Sequence, residues 1–282
     1  MKQIGTIVDL RRAVSGLAGK VALVPTMGNL HEGHLSLVRH AHKLADHVVV
    51  SIFVNPMQFD RKQDLQAYPR TMEADIQLLR DENVALAFTP SVDIIYPRPM
   101  ETHTRVEVPE LSDIFCGASR PGHFVGVSTI VCKLFNMVRP QLAVFGKKDF
   151  QQLLIIRQMV QDLAMPVEVI GVDTVREADG LAMSSRNNYL DESQRQMAPA
   201  LYRALLHTAN ALKQGNRDYS DLERAAVEQI ARAGLKPDYF GIRRASDLGV
   251  PEKDESQLVV LAAAFLGIAR LIDNLEVSVG AY

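Results

Sequence analysis

The run VALVPTMGNLHEGH (Val21–His34) decides how this chain is read. Val21 to Val24 form a short apolar segment of the kind that makes a buried strand. Gly33 and His34 then open a helical pattern in which Leu37, Ala41 and Leu44 share one face, flanked by Val38 and Ala45. The two histidines, three residues apart, therefore fall in a strand-to-helix turn. Unpaired backbone N–H groups and the helix dipole at such a turn attract anions. Gly28 and Gly33 carry no Cβ and let backbone and phosphate approach closely. A polyphosphate is the natural guest, with ATP the first expectation.

A plain polar turn would account for one histidine, but not for two that flank a glycine within M-G-x-L-H-x-G-H. The zinc-protease motif H-E-x-x-H places its histidines at i and i+4 on a formed helix. Here the spacing is i and i+3 across a glycine, and no Cys/His cluster supplies further ligands. Zinc is not expected. The glycine spacing is neither G-x-G-x-x-G nor G-x-x-x-x-G-K-[ST], so the dinucleotide fingerprint and the P-loop are both absent.

Outward from this turn, strand-like and helix-like segments alternate. Strands are predicted at Val21–Thr26, His47–Val54, Ala85–Phe88, Leu142–Phe145 and Val167–Val172. Helices are predicted at Gly33–Ala45, Thr71–Glu82, Val125–Val138 and Phe150–Leu163. The expected fold class is α/β: a doubly wound parallel sheet, Rossmann-like, whose ligands bind beyond the carboxyl ends of the strands. After Arg186 the pattern changes. Asp191 is expected to cap a polar helix running to about Gln214. A second helix to about Ala233 carries Ser220 and Glu223 at capping-box spacing. Strand-like stretches follow at Tyr239–Arg243, Leu258–Phe265 and Ala269–Ile272. The expected organisation is a domain over 1–175 and a smaller α+β domain over 176–282, with the boundary region near Val175–Asn187.

Composition agrees with a folded protein of this size. In 282 residues, 23% are charged, 47% belong to the hydrophobic set, and the net charge of −2 gives no global bias toward nucleic acid. Cys116 and Cys132 are too few for a disulfide framework and form no C-x-x-C pair, so buried free thiols in a reducing compartment are expected. The N-terminal stretch carries Lys2, Asp9, Arg11 and Arg12 and has no signal-peptide character. The longest apolar run, Leu258–Ala269, is well short of the ~20 residues that span a bilayer. A cytoplasmic protein without membrane or nucleic-acid partners is expected.

Three further segments suit a nucleotide site. Asn55-Pro56-Met57-Gln58-Phe59 puts amides at the end of a strand, where they suit substrate hydroxyls as well as they suit a plain Asn-Pro turn. Gly146-Lys147-Lys148-Asp149 follows the Leu142–Phe145 strand and precedes Gln151 and Gln152; it reads equally as a phosphate-binding lysine turn or a solvated charged turn. Met183-Ser184-Ser185-Arg186 offers hydroxyls and a guanidinium in a loop able to close over a leaving group.

The histidine pair joined to a later serine/basic loop resembles the adenylate-forming nucleotidyltransferase superfamily, with its H-x-G-H motif and K-M-S-K-S-like loop. Within it, VPTMGNLHEGH, SIFVNPMQF, YPRT, GASRPGHFVGVSTIV, KDFQQ and DGLAMSSRNNYL resemble, in order, the pantoate–β-alanine ligase (pantothenate synthetase) family from about Val21 to Asn274. That resemblance implies a reaction in two halves. Pantoate and ATP give pantoyl adenylate and pyrophosphate, and β-alanine then displaces AMP to give pantothenate.

The resemblance also implies ATP ligands at Met27, Gly28, Asn29, Leu30, His31, Glu32, Gly33 and His34, at Gly146, Lys147, Lys148 and Asp149, at Val175, and at Met183, Ser184, Ser185 and Arg186. Catalytic roles fall to His34, with His31, Lys148, Ser184, Ser185 and Arg186 around the phosphates and Mg2+ bridging them. Gln58 and Gln152 match the pantoate ligands, Gln58 also near β-alanine. A homodimer is implied as well. Lys147 departs from the family, which usually has an acid or an amide there, and this leaves Lys148 as the matching phosphate ligand. Two rival classes predict other features. An adenylyltransferase acting on a phosphate-bearing acceptor would need no amine substrate. A nucleotide- or RNA-binding module without catalysis predicts lost histidines or aromatic platforms, yet both histidines are present and the chain has no Trp, 10 Phe and 7 Tyr.

Overall fold

Valine-rich runs too short for helices pair into a parallel six-stranded sheet. Its strands are β1 (Lys2–Ile4), β2 (Val21–Thr26), β3 (His47–Ile52), β4 (Leu86–Phe88), β5 (Leu142–Gly146) and β6 (Glu168–Val172), in the order β1-β4-β3-β2-β5-β6. The computed structural model describes residues 1–59, 62–252 and 254–280, with Lys62 and Gln63 as backbone only. β2 and β3 run in register from Val21↔His47 to Thr26↔Ile52 and are almost wholly buried, as strands covered on both faces must be. From β2 the chain winds outward through β3 to β4. It then returns to the other side of β2 with β5 and β6. The order reverses between β2 and β5, so the ligand-binding switch point lies where Met27–His34 and Gly146–Lys147 leave the sheet.

Among the described residues, eight helices accompany this sheet: α1 (Ile7–Ser15), α2 (Glu32–His42), α3 (Lys62–Ala67), α4 (Met72–Asp81), α5 (Val92–Ile95), α6 (Cys116–Ser119), α7 (His123–Val138) and α8 (Phe150–Asp162). Leu37, Val38 and Ala41 of α2 and Ile76 and Leu79 of α4 pack on one face of the central strands against Ala22, Val24, Val48 and Val50. The edge strand β1 and helix α1 went unread in the sequence. β1 has three residues, and α1 buries only Leu10, so neither carries a strong period. Leu44, expected on the inner face, is 39% exposed because α2 ends at His42. Cys116 and Cys132 are free thiols, but only Cys116 is buried; Cys132 is half-buried.

The second unit holds α9 (Glu192–Met197), α10 (Ala200–Lys213), α11 (Tyr219–Arg232) and an antiparallel sheet β7 (Lys236–Arg244), β8 (Gln257–Leu266) and β9 (Ala269–Ser278), in the order β7-β8-β9. Leu201, Leu205 and Leu212 of α10 and Ile230 of α11 close over Val260, Ala262 and Ala264. The single helix expected from Asp191 to Gln214 is two. Pro199 has no N–H to continue the ladder, and it caps α10 instead. Asp191 does cap α9, in a box with Gln194. The box expected from Ser220 and Glu223 does not form. Asp218 caps α11 by accepting from the Asp221 amide, while Glu223 accepts from the Ile242 amide and from Arg243.

The two compact units comprise Met1–Lys147 with Gln151–Asp173, and Lys148–Phe150 with the chain from Thr174 onward. The division thus falls just before Val175 rather than after it. Lys148 joins the second unit because Asn274 of β9 donates its side-chain N–H to the Lys148 carbonyl, at 2.9 Å.

Candidate active site

The turn after β2 is built by two consecutive left-handed residues, Gly28 (φ 81°) and Asn29 (φ 51°). A Cβ at Gly28 would lie 2.9 Å from a carboxylate oxygen of Asp75, so the position needs glycine for space as well as for backbone angle. Asp75, on α4 and only 2% exposed, accepts the Asn29 amide at 2.9 Å and the Leu30 amide at 2.8 Å, one on each oxygen. The Thr71 hydroxyl lies within hydrogen-bonding distance of the same carboxylate.

The histidines then cap α2 reciprocally. The Gly33 amide donates to His31 Nδ1 at 3.1 Å, and the His31 amide donates to His34 Nδ1 at 3.3 Å. The ring centroids are 4.1 Å apart. An Nδ1 that accepts from an amide carries no proton, so each neutral ring bears its proton on Nε2. Most of the turn amides expected to be unpaired are engaged. The amides of Gly28, Asn29, Leu30, His31, Gly33 and His34 all donate within the chain. What the turn offers an anion is a capped helix start carrying two histidine rings protonated on Nε2, with most of its backbone amides already engaged.

The turn after β3 is held as tightly. Asn55 is 1% exposed and accepts at Oδ1 from the Tyr96 hydroxyl (2.7 Å) and the Met57 amide (3.3 Å). Its Nδ2 donates to Gln58 Oε1 (3.1 Å) and to the Gly126 carbonyl (3.0 Å). Burial pushes the Tyr96 phenol well above its usual range, so it remains a donor. With Oε1 occupied, the Gln58 amide presents Nε2, which lies 3.2 Å from Met27 Sδ in the histidine turn. Met27 and Gln58 are thereby brought together. Gln152 is half-buried and is not bonded to Gln58, whose amide is engaged by Asn55 and Met27. Its neighbour Gln151 is buried and spans from the Cys116 amide to the Leu111 and Ile114 carbonyls.

Lys147 pairs with Asp173 at 2.9 Å, just beyond the last registered pair Gly146↔Val172. In the second unit, Lys148 lies 4.0 Å from Asp149. Val175 to Met183 form a narrow hairpin closed by Met183 N–H to Val175 O (3.0 Å) and Glu177 N–H to Leu181 O (2.8 Å). Arg176 braces it from within, reaching both oxygens of Asp273 (2.6 and 3.0 Å) and the Gly180 carbonyl (3.1 Å), with its guanidinium 3.9 Å from the Tyr202 ring centroid. Ser184 accepts the Arg186 amide at 3.2 Å and so caps the following turn, leaving its own hydroxyl proton to donate. Among the described residues no ion pair engages Arg186, so its charge is available to a ligand.

Asp75, Tyr96 and Asp273 support the candidate residues and carry no signal in the sequence. Each meets its partner across tens of residues, and none stands in a recognisable spacing with it.

A parallel sheet that reverses order beside a histidine-capped helix start, with lysine and serine/arginine segments in the chain, defines an H-x-G-H α/β enzyme of the nucleotide-binding kind. The comparisons with known proteins narrow this class. Residues 2–276 match the pantoate-beta-alanine ligase family model. A pantothenate synthetase from Idiomarina loihiensis is 57% identical over 99% of this chain and 98% of its own. The pantothenate synthetase structure from Thermus thermophilus superposes with a TM-score of 0.92 at 45% identity, covering 99% of this chain and 100% of that one. A pantoate-beta-alanine ligase from Francisella tularensis, solved in complex with beta-gamma ATP and beta-alanine, gives 0.82 at 33% identity, covering 98% and 97%. The chain belongs to the pantoate–β-alanine ligase family.

Proposed function

We propose that this protein condenses pantoate with β-alanine to form pantothenate, consuming ATP through a pantoyl adenylate. In the first half, a pantoate carboxylate oxygen bonds to the α-phosphorus of ATP, and the bond to the bridging oxygen breaks to release pyrophosphate. In the second, the neutral amine of β-alanine bonds to the acyl carbon, the bond to AMP breaks, and the amine gives up a proton. The first step brings anion to anion, so preorganised donors and alignment supply most of its acceleration.

The observation that carries this reading is the reciprocal capping of His31 and His34, which fixes both rings at the start of α2 with their protons on Nε2. His31, His34, Lys148, Ser184, Ser185 and Arg186 are proposed to hold the phosphates, within an ATP site formed by Met27–His34, Gly146–Asp149, Val175 and Met183–Arg186. Lys147, paired with Asp173, has the weakest claim among them. Gln58 and Gln152 are proposed to bind pantoate, and Gln58 to lie near β-alanine as well.

Mg2+ is proposed to arrive on the ATP phosphates and to neutralise them. The ion favours phosphate oxygens and retained waters over an all-protein cage, and among the described residues no three His, Cys, Asp or Glu side chains converge to make one. The resemblance supports a homodimer. A cytoplasmic setting is proposed from the sequence, and among the described residues no helix is long and apolar enough to cross a membrane.

Exchange of labelled pyrophosphate into ATP tests the route. Exchange that requires pantoate and not β-alanine is expected. Exchange that requires β-alanine, or none at all, would remove the adenylate.

A further inference from the structure

The segment GASRPGHFVG (Gly117–Gly126) lies against the Gln58 turn through Arg120, His123 and Gly126. His123 opens α7 and is only 9% exposed; its Nδ1 lies 2.8 Å from the Gln58 backbone carbonyl. A carbonyl can only accept, so His123 Nδ1 carries the proton, and Nε2 is left as an acceptor. Arg120 supplies the matching donor, with Nη1 3.2 Å from His123 Nε2 and Nη2 3.3 Å from the same Gln58 carbonyl. The tautomer of His123 is thus fixed from both sides, and it is the opposite of the one held by His31 and His34.

One turn further along α7, the Gly126 carbonyl accepts from Asn55 Nδ2. A Cβ at Gly126 would lie 2.5 Å from the Met57 carbonyl oxygen and 2.6 Å from the Gln58 amide nitrogen. That contact is with backbone, which cannot swing aside, so any side chain at 126 would push the Gln58 turn off the helix.

We propose that Arg120, His123 and Gly126 form the positioning element for Gln58: His123 fixes its backbone carbonyl, Arg120 locks the His123 tautomer, and Gly126 admits the turn. His123 acts through Gln58 and is a positioning residue rather than a catalytic one. The inference rests on the proposal that Gln58 binds pantoate. Gln58 is held at its backbone by His123 of α7 and at Oε1 by Asn55, which Tyr96 holds in turn; Nε2 gives one N–H to Met27 Sδ and has the other to present. A shift of the backbone would misplace Nε2 against pantoate while leaving the histidine turn, with its own Asp75 anchor, intact.

Steady-state kinetics on four variants test this. The amide nitrogen of Asn stands where Nδ1 of His stands, whereas the Gln amide stands where Nε2 does. His123→Asn is therefore expected to keep the pantoate KM near that of the parent. His123→Gln is expected to raise it by about 3- to 10-fold, the equivalent of one buried hydrogen bond. The ATP KM is expected to stay within about twofold in both, as for residues that share no partner.

Gln58→Ala is expected to raise the pantoate KM, and adding His123→Gln to it is expected to bring no further loss, because one residue acts through the other. Should His123→Gln not fold, Arg120→Met takes its place with the same expected rise in the pantoate KM alone. If Gln58→Ala leaves the pantoate KM unchanged, the reading of Gln58 as a pantoate ligand falls, and the inference with it. If Gln58→Ala moves it but His123→Gln equals His123→Asn, or the double variant is additive, or both KM values rise alongside a lowered melting temperature, the inference alone is overturned.

Discussion

Asp273 in β9 and Arg176, almost a hundred residues earlier, form a two-pronged ion pair at 2.6 and 3.0 Å in a setting where Asp273 is only 4% exposed. Burial pushes the Asp273 carboxyl upward, and Arg176 opposes the shift. Its neighbour Asn274 holds the Lys148 carbonyl. One dipeptide of β9 therefore anchors the hairpin that leads into Ser184 and also the backbone of Lys148, both proposed phosphate-binding segments.

Asp273→Ala should leave the half-buried Arg176 guanidinium without its carboxylate, held only by backbone carbonyls and the Tyr202 ring, at a cost of about 1–3 kcal/mol in unfolding free energy. Asp273→Asn keeps one acceptor and should cost less. Denaturant titration of both gives the ordering. In the Asn variant the KM for ATP should rise more than that for pantoate; an equal rise in both would separate Asp273 from the phosphate-binding segments.

His34→Ala should lower the adenylation rate by roughly 10²- to 10³-fold, the scale of losing one preorganised donor. The structure adds a stability effect that its place in a turn would not suggest. Without Nδ1 the His31 amide loses its cap, at about 1 kcal/mol. His34→Asn offers a carbonyl oxygen near the Nδ1 position but no Nε2–H, so it should recover most of the stability and none of the rate. Rate recovery in His34→Asn would mean that capping, and not the Nε2 donor, is what the reaction uses.

Five strands of the parallel sheet, the four longest helices beside it and the location of the histidine turn were legible because apolar period and glycine placement are local signals. Pro199 was also visible, yet the polar pattern on either side of it read as one helix. The satisfaction of the turn amides was not legible at all. It depends on Asp75, whose position in TMEAD reads only as an ordinary first-turn acid of α4. The same holds for Tyr96 behind Asn55: a buried hydroxyl meeting a buried amide across 41 residues leaves no spacing to read.

Asp75 supplies its own test. In Asp75→Asn one oxygen becomes an N–H2 facing the amide of Asn29 or Leu30, which leaves that buried N–H unpaired at about 1–3 kcal/mol. Melting temperature should fall, and the pyrophosphate-exchange rate should fall with it as the histidine turn loosens. A melting temperature equal to that of the parent would show that the turn holds its shape without the carboxylate.

The hairpin also carries a pH dependence. The Arg195 guanidinium beside Asp179 holds its carboxyl below the usual carboxylate range, with help from the Leu181 amide. A carboxyl depressed on folding contributes stability above its unfolded value of about 3.9, and that contribution is lost as pH falls through the folded value. Both partners are largely exposed, so the pair is worth no more than about 0.2–1 kcal/mol. Asp179→Asn should therefore lower stability slightly at neutral pH, the difference from the parent should shrink as pH falls through the folded value, and added salt should shrink it too. A difference that does not change with pH would remove the Arg195 pair as its cause.

The serine/arginine loop allows the mechanism itself to be tested by the order of events. If Met183–Arg186 grips the β- and γ-phosphates, it stabilises the departing pyrophosphate in the first half-reaction only, because the group that leaves in the second is AMP. Ser184 accepts the Arg186 amide and keeps its own proton to donate, and the Arg186 charge is not engaged by an ion pair among the described residues. Ser185→Ala and Arg186→Ala should accordingly slow adenylate formation strongly, since charge-assisted contacts to phosphate are among the stronger hydrogen bonds. The same variants, given pre-made pantoyl adenylate and β-alanine, should form pantothenate at close to the parent rate. Rapid-quench measurement of each half-reaction separates the outcomes. Equal slowing of both would make the loop a cover over the acyl centre that keeps water from the adenylate, and its role as a phosphate clamp would have to be given up.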